Sequence, residues 1–104
     1  MPVLQKYDDD LVDATKLLKA LAHPARLAIL RTLAQKGGKL NGELISIEQM
    51  APATVQQHLR DLKKAGLIKG RIFGLNSSYS IDYEKLESME KQFALYLASL
   101  RKSS

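Results

Sequence analysis

One segment, residues 51–71, combines side chains that can read the edges of DNA bases with side chains that can bind phosphate groups. An amide can pair with adenine through two hydrogen bonds, and a guanidinium can pair with guanine in the same way. Proline suits the first turn of a helix, so we expect one helix to begin at Pro52. That helix carries Thr54, Gln56, Gln57 and Arg60. The same pattern fits an ordinary amphipathic surface helix, so the choice between the two interpretations depends on charge.

The positive charge of the chain is concentrated in this segment. The whole sequence has 16 basic and 11 acidic residues, a net charge of +5. Residues 51–74 hold five basic residues and one acidic residue, for a net charge of +4, whereas residues 1–50 carry +1 and residues 75–104 carry zero. A localised excess of this kind favours a polyanionic partner, nucleic acid first, over a face that is merely solvated.

The sequence from Pro52 onward has the pattern of a helix followed by a β-hairpin. Val55, Leu59 and Leu62 recur at helical spacing, which predicts a helix with one buried apolar stripe. Gly66 is typical of the residue that follows a helix end. A first strand is predicted over residues 67–73 and a second over residues 78–82, with a turn between them over residues 74–77.

Helical spacing of apolar residues predicts four further helices. They cover residues 8–21, residues 24–34, a short stretch that begins at residue 41 or 42, and residues 84–101. The predicted element order is α-α-α-α-β-β-α in a single domain of residues 1–104, mainly α with a two-stranded β-hairpin. A helix-turn-helix over 43–66 followed by a wing over 67–82 is the order of a winged helix-turn-helix.

The first and last helices, over 8–21 and 84–101, each carry an apolar stripe that is long for a monomeric domain. Two interpretations remain open: the stripes cover the domain's own core, or they join the chain to a second copy in a homodimer. The candidate dimer-interface residues are Leu11, Leu17, Leu18, Leu86, Met89, Phe93, Tyr96, Leu97 and Leu100.

The composition argues against several other classes of protein. No apolar run approaches the length of a membrane-spanning helix and no signal peptide is evident, so we expect a cytoplasmic protein with no membrane partner. The chain has no cysteine and therefore no thiolate for catalysis or metal binding. For His23 we prefer a capping or packing role over metal binding, and for His58 a hydrogen bond at the helix surface or at the edge of the core over catalysis. We expect no enzymatic activity and no cofactor.

Several different short motifs are spread over most of the chain, from Leu17 to Ile81. They are the stretch ALAHPARLAILRTLA at 20–34, Glu43-Leu44, Ala53-Thr54-Val55, His58-Leu59, Leu62, Ala65-Gly66-Leu67-Ile68 and Tyr79. Together they resemble the ArsR/SmtB family of bacterial winged-helix repressors. The resemblance implies a homodimer that binds an imperfect inverted repeat in promoter DNA and usually represses transcription. It also implies that the helix beginning at Pro52 is the recognition helix.

The resemblance and the side-chain chemistry together predict which residues contact double-stranded DNA. In the recognition helix and the wing these are Ala53, Thr54, Gln56, Gln57, Arg60, Lys64, Lys69, Arg71, Asn76 and Ser77. Amides are expected at base edges, and the cations at the helix end and in the wing are expected mainly at phosphates.

Metal-sensing members of the family carry ligands that this chain lacks. Where some have cysteines near the third helix, residues 39–44 of this chain read KLNGEL, and the last helix has no histidine. Ser78 and Ser80 flank Tyr79 at positions where other members have cysteines. Serine hydroxyls are poor ligands for soft metals, so no metal site is expected and the sequence identifies no effector.

A winged-helix adaptor, whose basic face binds an acidic protein, is the alternative function. Such an adaptor would more often expose aromatic side chains, whereas Thr54, Gln56, Gln57 and Arg60 suit base edges. An enzyme is a distant third, because the sequence shows no nucleophile–base pair and no cofactor-binding loop.

Overall fold

The structure of the chain, a computed structural model, describes residues 7–102 and contains four α-helices and one small sheet. The helices are α1 (Asp9–Leu21), α2 (Pro24–Gln35), α3 (Pro52–Lys64) and α4 (Tyr83–Lys102). The strands are β1 (Lys39–Asn41), β2 (Ile68–Arg71) and β3 (Ser78–Ile81), with a 3-10 turn at Gly74–Asn76. The chain is thus mainly α with a β-hairpin, as predicted.

The predicted short helix before Pro52 is wrong, and the element order changes with it. Residues 42–51 contain no α-helix, and Lys39–Asn41, where the sequence predicts the end of a loop and the start of that helix, is a strand that pairs antiparallel with β3. The three-stranded order is β1-β3-β2 in place of a two-stranded hairpin. Within the predicted helix-turn-helix of residues 43–66, α3 is the one α-helix.

The physical reason lies in the free edge of β3 and in the residues of the segment itself. Asn, Gly, Ser and isoleucine are poorer helix formers than Ala or Leu, and Gly42 has a positive φ of 71°. The buried Ile45 amide donates to the Tyr79 hydroxyl on β3 at 2.8 Å. This amide therefore has a hydrogen-bond partner without the backbone carbonyl that a helix would provide. Burial raises the pKa of the Tyr79 hydroxyl, which keeps it neutral as that acceptor.

The core forms between α2, α3 and the sheet, with the second half of α1 closing one side. The predicted stripe of α3, Val55, Leu59 and Leu62, is almost completely buried. Ile29 and Leu33 of α2 face it, and both are fully buried. This packing fixes which face of α3 remains outside.

The N-cap residues of α1 and α2 bond in different ways: one through its backbone and the other through its side chain. The ring of His23 caps α2, because its Nδ1 accepts from the Ala25 amide at 3.1 Å, and Pro24 follows at the first helical position. The predicted capping role of His23 is confirmed. Asp8 is the N-cap residue of α1, but its side chain makes no capping hydrogen bond, and its backbone carbonyl accepts from Leu11 and Val12.

The wing hairpin depends on a glycine in β2. Gly70 pairs with Tyr79 of β3 and has a φ of +117°, a conformation that side chains disfavour. A Cβ atom at this position would overlap the Ser78 carbonyl oxygen and lie 2.7 Å from the Tyr79 Cα. The two strands of the wing can approach this closely only because residue 70 has no side chain.

Helices α1 and α4 pack on each other and leave part of their apolar surface uncovered. Leu17 is buried in the protomer's own core, and Leu86 and Met89 pack against that core, so all three serve the core of the protomer, and their place at a dimer interface stays a prediction. Phe93 is half-buried and stacks with Tyr96. The predicted interface residues that remain 39–51% exposed are Leu11, Leu18, Tyr96, Leu97 and Leu100.

Helix α4 is long and carries charged residues in its first half and at its C-terminal end. It spans 20 residues, from Tyr83 to Lys102, and includes an exposed Glu87–Lys91 ion pair. Within residues 7–102, no helix has the combination of length and apolar character needed to cross a membrane.

Candidate nucleic-acid interface

The exposed face of α3 brings together most of the predicted base-reading residues. Because Val55, Leu59 and Leu62 point into the core, residues between them at helical spacing point outward. The exposed side chains on this face are Ala53, Thr54, Gln57, Arg60 and Lys64. The face therefore offers a hydroxyl, an amide, a guanidinium and an ammonium group in one row.

A network of hydrogen bonds that no local sequence pattern indicates engages Asp61, the acidic residue of this helix. Asp61 Oδ2 lies 2.7 Å from Arg26 Nη2 of α2, and Asp61 Oδ1 accepts from Gln57 Nε2 at 3.1 Å. Arg26 thereby neutralises the one acidic side chain of α3. Gln57 keeps its amide oxygen and one N–H group uncommitted by this bond, so it can still pair with a base edge.

Arg26 also ties three helices together. Its Nη1 donates to the Ala20 carbonyl of α1 at 3.2 Å, and its Nε donates to His58 Nδ1 of α3 at 3.2 Å. With the Asp61 ion pair, one guanidinium thus fixes α3 relative to α1 and α2. The predicted hydrogen-bonding role of His58 is confirmed.

The surroundings of His58 favour its neutral form. Burial lowers its pKa below the ordinary value of 6.5, the nearby His23 and Arg26 charges lower it further, and Asp61 opposes them. The His23 and His58 rings meet edge to face with centroids 4.6 Å apart. Protonation of His58 Nδ1 would remove the acceptor of the Arg26 Nε–H and place a second positive charge beside the Arg26 guanidinium.

We expect the protein to lose stability as the pH falls below about 6.5. Unfolded His58 takes up its proton near that pH, whereas folded His58 takes it up only at lower pH. The contribution of His58 to the free energy of unfolding is therefore complete above about pH 6.5. It declines as the pH falls through the pKa that His58 has in the folded protein. Urea unfolding from about pH 7.5 to 5, a range above the titration of most carboxylates, measures it.

Two asparagine variants separate His58 from its neighbour. His58→Asn keeps an acceptor for Arg26 and cannot titrate, so the decline in the free energy of unfolding should become much smaller. His23→Asn keeps a good N-cap residue and leaves His58 in place, so the decline should persist. An identical decline in the wild type and in His58→Asn would contradict the assignment.

Gln56 occupies a different place from the one predicted. It is half-buried, and its Oε1 accepts from the Gly74 amide of the wing at 3.2 Å and from Arg60 Nη2 at 3.3 Å. Its amide oxygen is thus engaged within the protein rather than presented beside Gln57. Gln56 links α3 to the turn between β2 and β3.

The prediction that Ser77 contacts DNA is wrong, because its side chain is completely buried. Its Oγ donates to the Gly74 carbonyl at 2.6 Å and accepts from the Phe73 amide at 2.8 Å. Small polar residues in turns commonly bond to nearby backbone in this way, which a sequence pattern cannot distinguish from exposure. Ser77 builds the wing turn.

The other predicted wing residues are exposed beside the helix. Lys69 and Arg71 lie on β2, and Asn76 lies in the turn. Arg71 Nε donates to the Asn76 carbonyl at 3.1 Å, and the two terminal nitrogens of its guanidinium take no part in this bond. Together with Arg60, Lys63 and Lys64 of α3, Lys69 and Arg71 make five cations within residues 60–71. The one acidic residue of this segment, Asp61, is paired with Arg26.

The two histidines lie together without forming a metal site. Each Nδ1 already accepts a hydrogen bond, from Ala25 in the case of His23 and from Arg26 in the case of His58. Among residues 7–102, no group of three or more His, Cys, Asp or Glu side chains is placed to hold a metal ion.

Sequence comparisons agree on one kind of protein. A model described as a helix-turn-helix domain matches residues 21–71. A helix-turn-helix transcriptional regulator of Methanocaldococcus jannaschii is 32% identical over 88 residues, which cover 85% of this chain and 94% of that protein. The transcriptional repressor PagR of Bacillus anthracis is 36% identical over 81 residues, which cover 78% of this chain and 81% of that protein.

A solved structure from Mycobacterium bovis supports the same fold. It is a homodimeric winged helix-turn-helix DNA-binding domain of a possible ArsR-family transcriptional regulator. It is 30% identical, has a TM-score of 0.60, and the match covers 96% of this chain and 92% of that chain. The predicted winged helix-turn-helix fold is confirmed.

Proposed function

The chain belongs to the ArsR family of winged helix-turn-helix, DNA-binding transcriptional regulators, and we propose that it acts as a homodimeric repressor that binds an inverted repeat in a promoter. PagR, one of the relatives of this chain, is a repressor, and the Mycobacterium bovis domain of similar structure is a homodimer. A protein with two-fold symmetry presents two equivalent recognition helices, which match the two halves of an inverted repeat.

One observation carries the proposal: the exposed face of α3 offers base-reading groups directly beside a basic wing. Thr54, Gln57 and Arg60 are exposed, while the opposite face of the helix is buried. The α3 sequence contains no Phe, Tyr or Trp, so this face lacks the aromatic side chains that a protein-binding adaptor would favour. Base recognition is the function that these side chains serve best.

The side chains divide into two roles. Gln57 and Arg60 can each form two hydrogen bonds to a base edge in the major groove, and Thr54 can form one. Lys64 at the end of α3, and Lys69 and Arg71 on β2, meet phosphates and set the register of the protein on the duplex. Gln56 serves in this division as the residue that positions the wing.

We expect Gln57→Ala to reduce the preference for a specific duplex by about 1–3 kcal/mol, because alanine cannot form the two hydrogen bonds to a base edge. Lys64→Ala should weaken specific and random duplexes to a similar degree, because binding to phosphate carries no sequence information. Fluorescence anisotropy with a duplex obtained by in vitro selection, and with a random duplex of equal length, measures both effects.

Gln35→Ala provides the matched control, because Gln35 is an exposed glutamine at the end of α2 rather than on α3. It should change neither affinity nor preference. Equal weakening on both duplexes for Gln57→Ala and Lys64→Ala would refute the division of roles, and failure of the wild type to select any duplex would refute sequence-specific binding.

A further inference from the structure

The tip of the wing exposes two large apolar side chains that the fold does not use. Phe73 is 64% exposed and Leu75 is 77% exposed, and they stand on either side of Gly74 in the turn between β2 and β3. The other apolar residues of the hairpin, Ile72 and Tyr79 among them, are buried. Water-exposed Phe and Leu side chains at the end of a protruding hairpin are costly unless a partner covers them.

Hydrogen bonds hold this tip in one shape. Ser77 Oγ joins the Phe73 amide to the Gly74 carbonyl, and the Asn76 amide donates to the Phe73 carbonyl at 2.9 Å. Arg71 Nε closes the same turn from the β2 side through the Asn76 carbonyl. The two apolar side chains are thus presented outward by a preorganised turn.

The tip is also fixed relative to the recognition helix. Gln56 Oε1 accepts from the Gly74 amide, between the two apolar residues, while the neighbouring Gln57 lies on the exposed face of α3. When α3 lies in a major groove, this hydrogen bond therefore fixes the position of the wing tip relative to α3. Lys69 and Arg71, on the strand that leads into the tip, provide the positive charge that a groove lined by phosphates attracts.

We propose that Phe73 and Leu75 form an apolar wedge that enters the minor groove of the bound duplex and partly unstacks one base step, bending the DNA. This inference rests on the proposed DNA-binding function and adds the mode in which the wing engages. Apolar side chains of this type act as minor-groove wedges in other DNA-binding proteins and bend the duplex by about 20–90°. The occupant is DNA rather than an apolar protein surface, because cations flank the tip and the turn is tied to the recognition helix.

The energetics set the size of the expected effect. Removing a Phe and a Leu side chain from water favours insertion, and the disrupted stacking of the base step opposes it. We therefore expect Phe73→Ser to weaken binding by about 10-fold, less than burial alone would give, and to abolish most of the bend. Phe73→Leu keeps an apolar wedge and should retain both affinity and bend.

The experiment uses the full chain and a duplex obtained by in vitro selection with the wild-type protein. Electrophoretic phasing measures the bend, and 2-aminopurine placed at successive steps beside the major-groove site reports unstacking as increased fluorescence. The wild type and Phe73→Leu should bend the duplex and increase fluorescence at one step, whereas Phe73→Ser and Leu75→Ser should not. Thermal unfolding of the free variants verifies that the hairpin remains folded.

The outcomes separate this inference from the function on which it rests. A wild-type protein that binds the selected duplex without bending it or increasing fluorescence overturns the wedge and leaves sequence-specific binding intact. Bending that persists in a Phe73→Ser, Leu75→Ser double variant overturns it as well and directs attention to a protein partner for the tip. Absence of any selected duplex would remove the proposed function itself.

Discussion

Raising the salt concentration from 50 to 200 mM should weaken DNA binding by about 10³- to 10⁵-fold, if the dimer neutralises about 6–10 phosphates. Each chain has five basic residues between positions 51 and 74, so a dimer presents ten in its two recognition helices and wings. The one acid of this segment, Asp61, is paired with Arg26 and does not offset them. Anisotropy titrations at a series of salt concentrations measure the slope.

Single variants show which cations contribute to that slope. Lys69→Ala should reduce the slope of log affinity against log salt by about 2 for the dimer, because each of its two subunits loses one phosphate contact and each neutralised phosphate releases about one counterion. Lys91→Ala is the matched control, since Lys91 is an exposed lysine on α4 that pairs with Glu87. Affinity that does not change with salt would contradict phosphate binding, and an equal change for both variants would contradict its location.

Local patterns predicted the helices well, because their burial follows helical spacing. The stripe of Val55, Leu59 and Leu62 identified both the existence of α3 and the face that it buries. Once that face was known, the exposed positions of Thr54, Gln57 and Arg60 followed by geometry. The same reasoning predicted the wing, because Gly74 and its neighbours are typical turn residues.

The segment before α3 could not be predicted in this way, because its structure depends on a distant partner. Leu44, Ile45 and Ile47 fit a short helix as well as an irregular buried chain. What decides between them is β3, whose edge pairs with Lys39–Asn41 and whose Tyr79 hydroxyl accepts from Ile45, 34 residues away. No window of neighbouring residues contains that information.

The site was predicted in its composition but not in its internal bonds. Arg26 lies 35 residues from Asp61 in sequence, and nothing local indicates that the two meet. The side chains of Ser77 and Gln56 are of types that suit DNA contacts, yet Ser77 bonds within the wing turn and Gln56 bonds between α3 and that turn. A polar side chain can satisfy backbone groups or a ligand, and three-dimensional placement decides which.

Leu18→Glu should convert the dimer into monomers and reduce operator affinity on the order of 10²- to 10⁴-fold, because the two recognition helices would no longer bind as one linked unit. Leu18 lies on α1 beside an apolar groove of about 800 Å³ that α1 forms with α4, and Phe93 lines the same groove. The side chain is 43% exposed in the protomer, so a charge there should disturb an interface rather than the core.

Leu27→Glu tests whether the effect belongs to this face. Leu27 is a leucine of similar exposure, 48%, but it lies on α2, outside the surface that α1 and α4 share. Sedimentation should show a dimer for the wild type and for Leu27→Glu, and a monomer for Leu18→Glu. Dimeric DNA binders place their recognition helices about 34 Å apart to reach successive major-groove faces, and a monomer cannot hold that spacing. A monomeric wild type that binds its operator tightly, or a Leu18→Glu variant that remains dimeric, would exclude α1 and α4 as the interface.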